Sequence, residues 1–459
     1  IGLVLAALGV GASRLRGGEL DAERVDASMD SGDISEWTPE VLDTALDRMF
    51  DDVLVMQQVR REFNETDLTP HVAAGRKKIA LLFMTKDVID QHALWHSWIS
   101  EADPDAFSVY IHQYKRSTDA AVHQRQLWDP LRASFIPQVK TGWGQLAGVE
   151  YALLWEALRD PLNAQFVFLS EGHVPLKSAG YVYDYLMLNH GSSKICFNDP
   201  RESLQITKSE LLRRCFYKDH LQFAKLPTTV YFDGVARKMA LEGRVLKHHQ
   251  WLVLSRTHAV DVINYAEEGL RQHMRALTRI PYDGGDPAML GASDESFVAT
   301  TLMLASEKKG RARESFKEEL QAENIHSSCT TFVYWRNCFK KSALGAGAGW
   351  NSKRMQELFQ LSSAAWKTPQ KDWYDAKKSP AKILNDSPRN FGLSTAFPDE
   401  EHATAYMQSL VKAGFLFARK FGVDETGNLT RNLSAVLPPM WRAWESDFGD
   451  RTPQKMERE

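Results

Sequence analysis

The stretch Gln165-Phe-Val-Phe-Leu-Ser-Glu-Gly-His-Val-Pro-Leu176 constrains this chain more than any other. Its first residues are rich in β-branched and aromatic types, which suits a strand buried on both faces. Ser170, Glu171 and Gly172 stop the run, and Pro175 is expected to bar a return to a ladder just beyond. The pattern predicts a buried strand that presents polar groups at its carboxyl end. In open α/β sheets that is where ligands settle. Helical spacing follows at once, from Ala179 to Asn189.

A second apolar run, Lys78-Ile-Ala-Leu-Leu-Phe-Met84, has the same character and ends at Thr85-Lys86-Asp87. A helix is expected from Val88 to Ser100, with Leu94, Trp95 and Trp98 inward. Phe107 to His112 reads as a second strand and Ser134 to Val139 as a third. Trp143-Gly144 is expected to open a helix running to about Arg159, ahead of the strand at Gln165. Strand, helix, strand, strand, helix, strand is the order of a doubly wound nucleotide-binding domain.

The second half is less regular. Strands are expected near Ile195–Phe197, Val230–Phe232, Gln250–Leu254 and Thr330–Tyr334. Helices are expected at Leu204–Lys218, His258–Arg271 and Ser352–Trp366, and at Ser296–Ala305 behind a Ser293-Asp294-Glu295 cap. Ahead of the domain, Val41 to Phe63 has apolar residues at helical spacing.

These signals divide the chain into four parts. Residues 1–13 read as the remnant of a signal peptide or membrane anchor, because Ile1 to Val10 is apolar but shorter than the roughly 20 residues a span needs. Residues 14–76 read as an acidic stem containing one helix, 77–446 as the principal domain, and 447–459 as a polar tail. A hydrophobic content of 43% and a charged content of 25% are those of an ordinary globular protein. The net charge of -3 argues against nucleic acid as a partner. Four Asn-x-Ser/Thr triplets, at Asn64, Asn385, Asn428 and Asn432, lean toward a luminal location. The four cysteines are too few for a disulfide scaffold; Cys329 and Cys338 either close a short loop or stay free.

Common catalytic motifs are missing. The chain has no phosphate loop of the Gly-x-x-x-x-Gly-Lys type and no Gly-x-Ser-x-Gly elbow. Asp103-Pro-Asp105 falls in a helix-to-strand loop, at the wrong end of the sheet for metal ligands. Glu171 stands alone at the carboxyl end of its strand. The adjacent His248 and His249 point apart on a regular element and are not spaced to share one metal.

Taken in order, Ile79–Thr85, Phe107–His112, Trp143-Gly144, Phe166-Val-Phe-Leu-Ser-Glu171 with Pro175-Leu176, Gln250-Trp251, Asp294-Glu295 and Phe415-Leu-Phe-Ala-Arg-Lys-Phe421 form a familiar set. The set resembles the core-2/I-branching enzymes, in particular their plant and algal branch, over about Lys77 to Phe421. That resemblance implies a GT-A-like α/β fold, with a Rossmann-like nucleotide-binding half and a mixed central sheet. It implies inverting, metal-independent transfer of a sugar such as GlcNAc from a UDP-sugar to a glycan or glycoprotein hydroxyl. It also implies a Golgi membrane protein of the single-pass type II kind, with its catalytic domain in the lumen. Carried over position by position, Glu295 is the catalytic base and Asp294 its neighbour in the motif. Lys420, with Arg419 beside it, meets the departing diphosphate, together with an upstream arginine for which Arg336 and Arg389 both stand. His112 and Glu150 border the nucleotide, and Glu171 and His173 the sugar or acceptor, with Trp251 in the Gln-Trp block. One departure is plain. Where the family has small residues before that tryptophan, this chain has Lys247-His-His-Gln-Trp251. The departure keeps open a non-catalytic glycan- or nucleotide-sugar-binding protein on the same fold, and, more distantly, a nucleotidyltransferase.

Overall fold

The structure is a computed structural model. It describes residues 39–62, 68–142, 144–196, 248–277, 293–311, 316–328, 330–333, 411, 415–419, 421 and 433–448. The strand expected at Val230–Phe232 and the helices expected at Leu204–Lys218 and Ser352–Trp366 lie outside these residues.

The two apolar runs form the centre of a seven-stranded sheet. β1 (Lys78–Thr85) lies between β2 (Phe107–Gln113) and β4 (Asn163–Ser170), parallel to both. β3 (Ser134–Phe135) extends the parallel part beyond β2. On the other side, β7 (Val253–Ser255) runs antiparallel to β4, and β6 (Ser193–Ile195) and β8 (Ile325–Ser327) complete the order β3-β2-β1-β4-β7-β6-β8. This is the expected architecture: a parallel, Rossmann-like half continued into a mixed sheet. A second sheet has the order β5-β10-β9, from His173–Pro175, Phe417–Arg419 and Thr331–Val333; Pro175 thus enters a ladder after all, opposite Phe417, as a proline can at the end of an edge strand.

The period of two along a strand divides the core into two layers. On β1, Ile79, Leu81 and Phe83 face one cluster, while Ala80, Leu82 and Met84 face the other. The first cluster holds Trp95 and Trp98 of α2 (His92–Ser100), α5 (Ala179–Leu188) and α9 (Leu437–Phe448). The second holds α4 (Ala147–Leu158), α6 (Arg256–Leu277) and α7 (Phe297–Lys308). The remaining described helices are α1 (Pro39–Glu62), α3 (Asp119–Trp128) and α8 (Phe316–Ala322). Val53, Val55, Met56 and Val59 of α1 are buried in the second layer, so this helix forms part of the core. Where α1 meets α4, Gly148 leaves room for it: a Cβ there would come within 2.9 Å of Val55 Cγ1.

Several local expectations need correction. The third strand pairs over two residues only. Beyond it the Val139 amide donates to His112 Nε2 at 3.2 Å, so the chain turns off the sheet edge. Helix α4 starts at Ala147, because residues 142–145 close a small turn in which Gly144 takes φ +69°. The strand expected from Gln250 begins at Val253, since His249 and Gln250 are bonded elsewhere. Ser293, Asp294 and Glu295 do not cap the following helix; they form a separate 3-10 turn. Ser296 precedes α7 without capping it through its side chain.

Candidate active site

Sheet register places the first functional groups. Met84 pairs with His112 on one side and with Ser170 on the other, so the three share a row at the carboxyl edge. With about 4.8 Å between strands, His112 and Ser170 stand roughly 10 Å apart. The sheet order reverses between β1 and β4, which makes this edge the topological switch point where a nucleotide is expected. His112 is buried there; burial, and then the charge of Arg116, pull its pKa down to about 4, so it presents a neutral imidazole.

The turn after β4 is fixed by its own histidine. His173 Nδ1 accepts from the Ser170 amide at 2.8 Å and lies 2.8 Å from the Ser170 hydroxyl. From α2, Trp95 Nε1 donates to the His173 carbonyl at 3.0 Å and Trp98 Nε1 to the Lys177 carbonyl at 2.8 Å. β10 pairs antiparallel with β5 and sets Arg419 opposite His173, and the Phe421 amide donates to Gly172 O at 2.8 Å. The Arg419 guanidinium lies 4.1 Å from the centre of the Trp251 ring, and the His173 ring meets the same indole edge-on at 4.5 Å. Arg419 is thus braced by an aromatic face. His173 is fully buried and Trp251 nearly so, which places both behind Arg419 as support.

The acidic groups arrive from the other core layer. The 3-10 turn Ser293–Glu295 leaves Asp294 buried and Glu295 half-buried. The His248 amide donates to the Glu295 carbonyl at 2.8 Å, and the His249 amide to Cys196 O at 2.7 Å. His248, wholly buried, therefore braces the acidic turn through its backbone, while His249 is tied to the end of β6. Glu150 on α4 accepts from Gln250 Nε2 at 3.2 Å. Burial, and then the charge of Asp294, hold its pKa well above the usual carboxylate range, which favours the protonated acid. Burial draws the Arg419 pKa down to about 10, against the opposing charges of Glu171, Glu295 and Asp294, so it remains a cation at neutral pH.

The structure therefore gathers Glu171, His173, Trp251, Asp294, Glu295, Glu150 and Arg419 at one end of β4, with His112 along the row. Lys420, Arg336 and Arg389 lie outside the described residues. Glu150 Oε2, His173 Nε2 and Arg419 Nε are enclosed without a hydrogen-bond partner among the described residues. Each orphaned buried group costs about 1–3 kcal/mol; of the three, Glu150 Oε2 and Arg419 Nε fit a site built for a polar ligand. One further residue joins the cluster without having been singled out in the sequence: Asp52 of α1, fully buried, accepts from Ser293 Oγ at 2.5 Å. Cys196, next to this region, is disulfide-bonded; its partner lies outside the described residues.

Residues 79–358, more than half of the chain, match the model of the family described as Core-2/I-Branching enzyme. The chain is 29% identical over 290 residues to glycosyltransferase BC10 of Oryza sativa subsp. japonica, a match covering 59% of this chain and 60% of that protein. It is also similar to mannosyltransferase PcManGT from Pyrobaculum calidifontis, solved in complex with GDP-Man and Mn2+. That match has 15% identity and a TM-score of 0.22 and covers 62% of this chain and 90% of the other; a likeness of that size carries no inference.

Proposed function

The chain belongs to the Core-2/I-Branching enzyme family, and on that premise we propose that it is an inverting glycosyltransferase. It moves a sugar, with GlcNAc the first candidate, from a UDP-sugar to a hydroxyl of a glycan or glycoprotein. One observation carries the reading: a half-buried carboxylate on the Ser293–Glu295 turn and a cation on β10 share the carboxyl end of β4.

Glu295 takes the proton from the acceptor hydroxyl as that oxygen attacks the anomeric carbon. The bond from that carbon to the phosphate oxygen breaks, and UDP departs with the electron pair. A single displacement inverts the centre. Arg419, braced on Trp251, and Lys420 meet the charge that grows on the diphosphate, a type of stabilisation often dominant in transfer reactions. In this reading they do so without a metal ion. Glu150 borders the nucleotide through Oε2. His112 closes the far side of the crevice, Glu171 borders the sugar, and His173 keeps the turn rigid. The enzyme works in the Golgi lumen, tethered as a single-pass type II protein; the disulfide at Cys196 suits that compartment. Among the described residues no helix is long and apolar enough to cross a membrane.

The test is Glu295→Gln, assayed by UDP release from UDP-GlcNAc, UDP-glucuronic acid and UDP-xylose with acceptors present. Turnover is lost while the melting temperature holds. Undiminished turnover ends the assignment. Activity is expected to survive EDTA; a loss restored by Mn2+ replaces the metal-free reading with a metal-assisted one. The buried imidazoles at 248 and 249 favour one second reading, a binding protein that keeps the fold. UDP binding by calorimetry without transfer or hydrolysis across the donor panel would establish it.

A further inference from the structure

The family match begins at residue 79, yet the Ser293–Glu295 turn is tied to a helix that ends before it. Asp52 lies on the inward face of α1, in a row with Met49, Val53, Met56 and Val59, and is fully buried. Both of its oxygens are used: Oδ1 accepts from the Gly148 amide at 3.0 Å, and Oδ2 from Ser293 Oγ at 2.5 Å. From this junction we infer that Asp52 is a positioning residue that sets the acidic turn, and with it Glu295, relative to α4.

Each bond has a separate task. Helix α4 begins at Ala147, and its cap residue Leu146 offers no side-chain acceptor. The first amides of a helix have no partner within it. Asp52 reaches across from another helix and satisfies one of them, as a cap residue normally does from the adjacent position. Capping alone would use one oxygen and leave the other to be desolvated at a cost. The second oxygen instead holds Ser293, the first residue of the turn that carries Glu295 two positions later. Gly148 admits this junction, since a Cβ there would come within 3.1 Å of Asp52 Oδ1. One side chain thus locks together the helix that bears Glu150 and the turn that bears Asp294 and Glu295. The His248 amide, on the Glu295 carbonyl at 2.8 Å, secures the far end of the turn. A base displaced by about 1 Å can lose on the order of 100-fold in rate.

The inference rests on the reading of Glu295 as base, so that variant is measured alongside. Three full-length variants are compared with wild type by melting temperature and by steady-state kinetics on the active donor: Ser293→Ala, Asp52→Ala and Asp52→Asn. Ser293→Ala cuts only the bond to the turn and leaves the α4 cap. It is expected to lower kcat about tenfold, with the donor KM within about twofold and the fold intact. Asp52→Ala lowers kcat further. The amide of Asp52→Asn still accepts from Gly148 and can donate to Ser293 Oγ, so it recovers most of the loss; because Asn also keeps the volume of Asp52, it is Ser293→Ala, which leaves that packing in place, that separates the bond to the turn from packing. A folded Ser293→Ala protein with wild-type kcat, beside an inactive Glu295→Gln, overturns the positioning role while leaving the base intact. An active Glu295→Gln removes the base reading and this inference together. If Asp52→Ala fails to fold, Ser293→Ala decides.

Discussion

The two sheets of this molecule are assembled from opposite kinds of sequence. β1 and β4 are eight-residue strands buried along nearly their whole length, and each is continuous in the chain. The small sheet joins three three-residue strands taken from positions near 174, 332 and 418. The first owes its place to apolar area removed from water on both faces. The second buries Val174, Phe417 and Ala418 in the first core layer but is too short to be held by that alone; ladder bonds, Trp95 and Trp98 donating to the carbonyls of His173 and Lys177, and Arg419 lying on Trp251 fix it. The lesson is a division of labour: long apolar strands fix where the site can be, and short strands from distant segments fix which charges occupy it.

That division can be broken at either end. The largest effect is expected from Glu295→Gln, about 10³-fold or more in turnover, equivalent to about 4 kcal/mol, with thermal unfolding unchanged. Next, Leu81→Ala in β1 should cost about 3 kcal/mol of stability through the cavity it leaves. The folded fraction should keep its donor KM; a changed KM would mean that the large sheet does more than carry the site. Arg419→Ala should lower donor kcat/KM about 30-fold, about 2 kcal/mol, with little loss of stability. If it unfolds the protein instead, the small sheet is scaffold and the comparison fails. The smallest effect is a slope. Burial, opposed by the bonds from Ser293 and Gly148 and aided by the charge of Asp51, raises the Asp52 pKa from 3.8 to about 7. Lys140 pairs with Asp51 at 2.7 Å, and Asp52 in turn helps to raise the pKa of Glu150. A carboxyl raised in this way contributes stability that is present below about pH 4 and is lost as pH rises toward 7. The difference in unfolding free energy between Asp52→Asn and wild type should therefore grow in favour of the variant across that window, at up to about 1.4 kcal/mol per pH unit. A flat difference would show that Asp52 is ionised throughout.

How much of this the sequence disclosed follows the same line. β1, β2 and β4 were legible because burial on both faces leaves a continuous apolar run, as in Ile79–Met84. The reach of the third strand was not, because Val139 is as apolar as a strand residue but covers the core after the chain has left the ladder, whose last bond is from the Ile136 amide. The early start assigned to α4 had a visible warning in Gly144, which adopts a left-handed conformation. Ser293 is of a type that suits a helix cap, yet its hydroxyl is committed to Asp52, 241 positions away. No local rule reports such a pairing. Asp52 itself left a signal, a lone acid on the apolar face of an amphipathic helix, and such a group needs a buried partner. Arg419 and Glu295 could be placed in one site only through the family resemblance. Nothing in their spacing brings together residues that meet through a sheet and a turn from different layers.

The pairing of β5 with β10 also governs when the site comes into being. His173 and Arg419 are opposite each other across 246 positions of chain, 173 to 419. Closing so long a loop is entropically unfavourable until much else is in place, and such contacts form late. During synthesis the parallel strands β1, β2 and β4 are complete well before the segment carrying Arg419 emerges. Through that interval β5 has an open edge, and Trp251 lacks the cation that later covers it. On the proposed reading, the newly made chain therefore passes through a stage in which β1, β2 and β4 are already synthesised while the Arg419 cation is still missing from the end of β4. Activity should appear last, and a folding helper that shields one exposed strand edge would speed its arrival more than one that shields the large sheet.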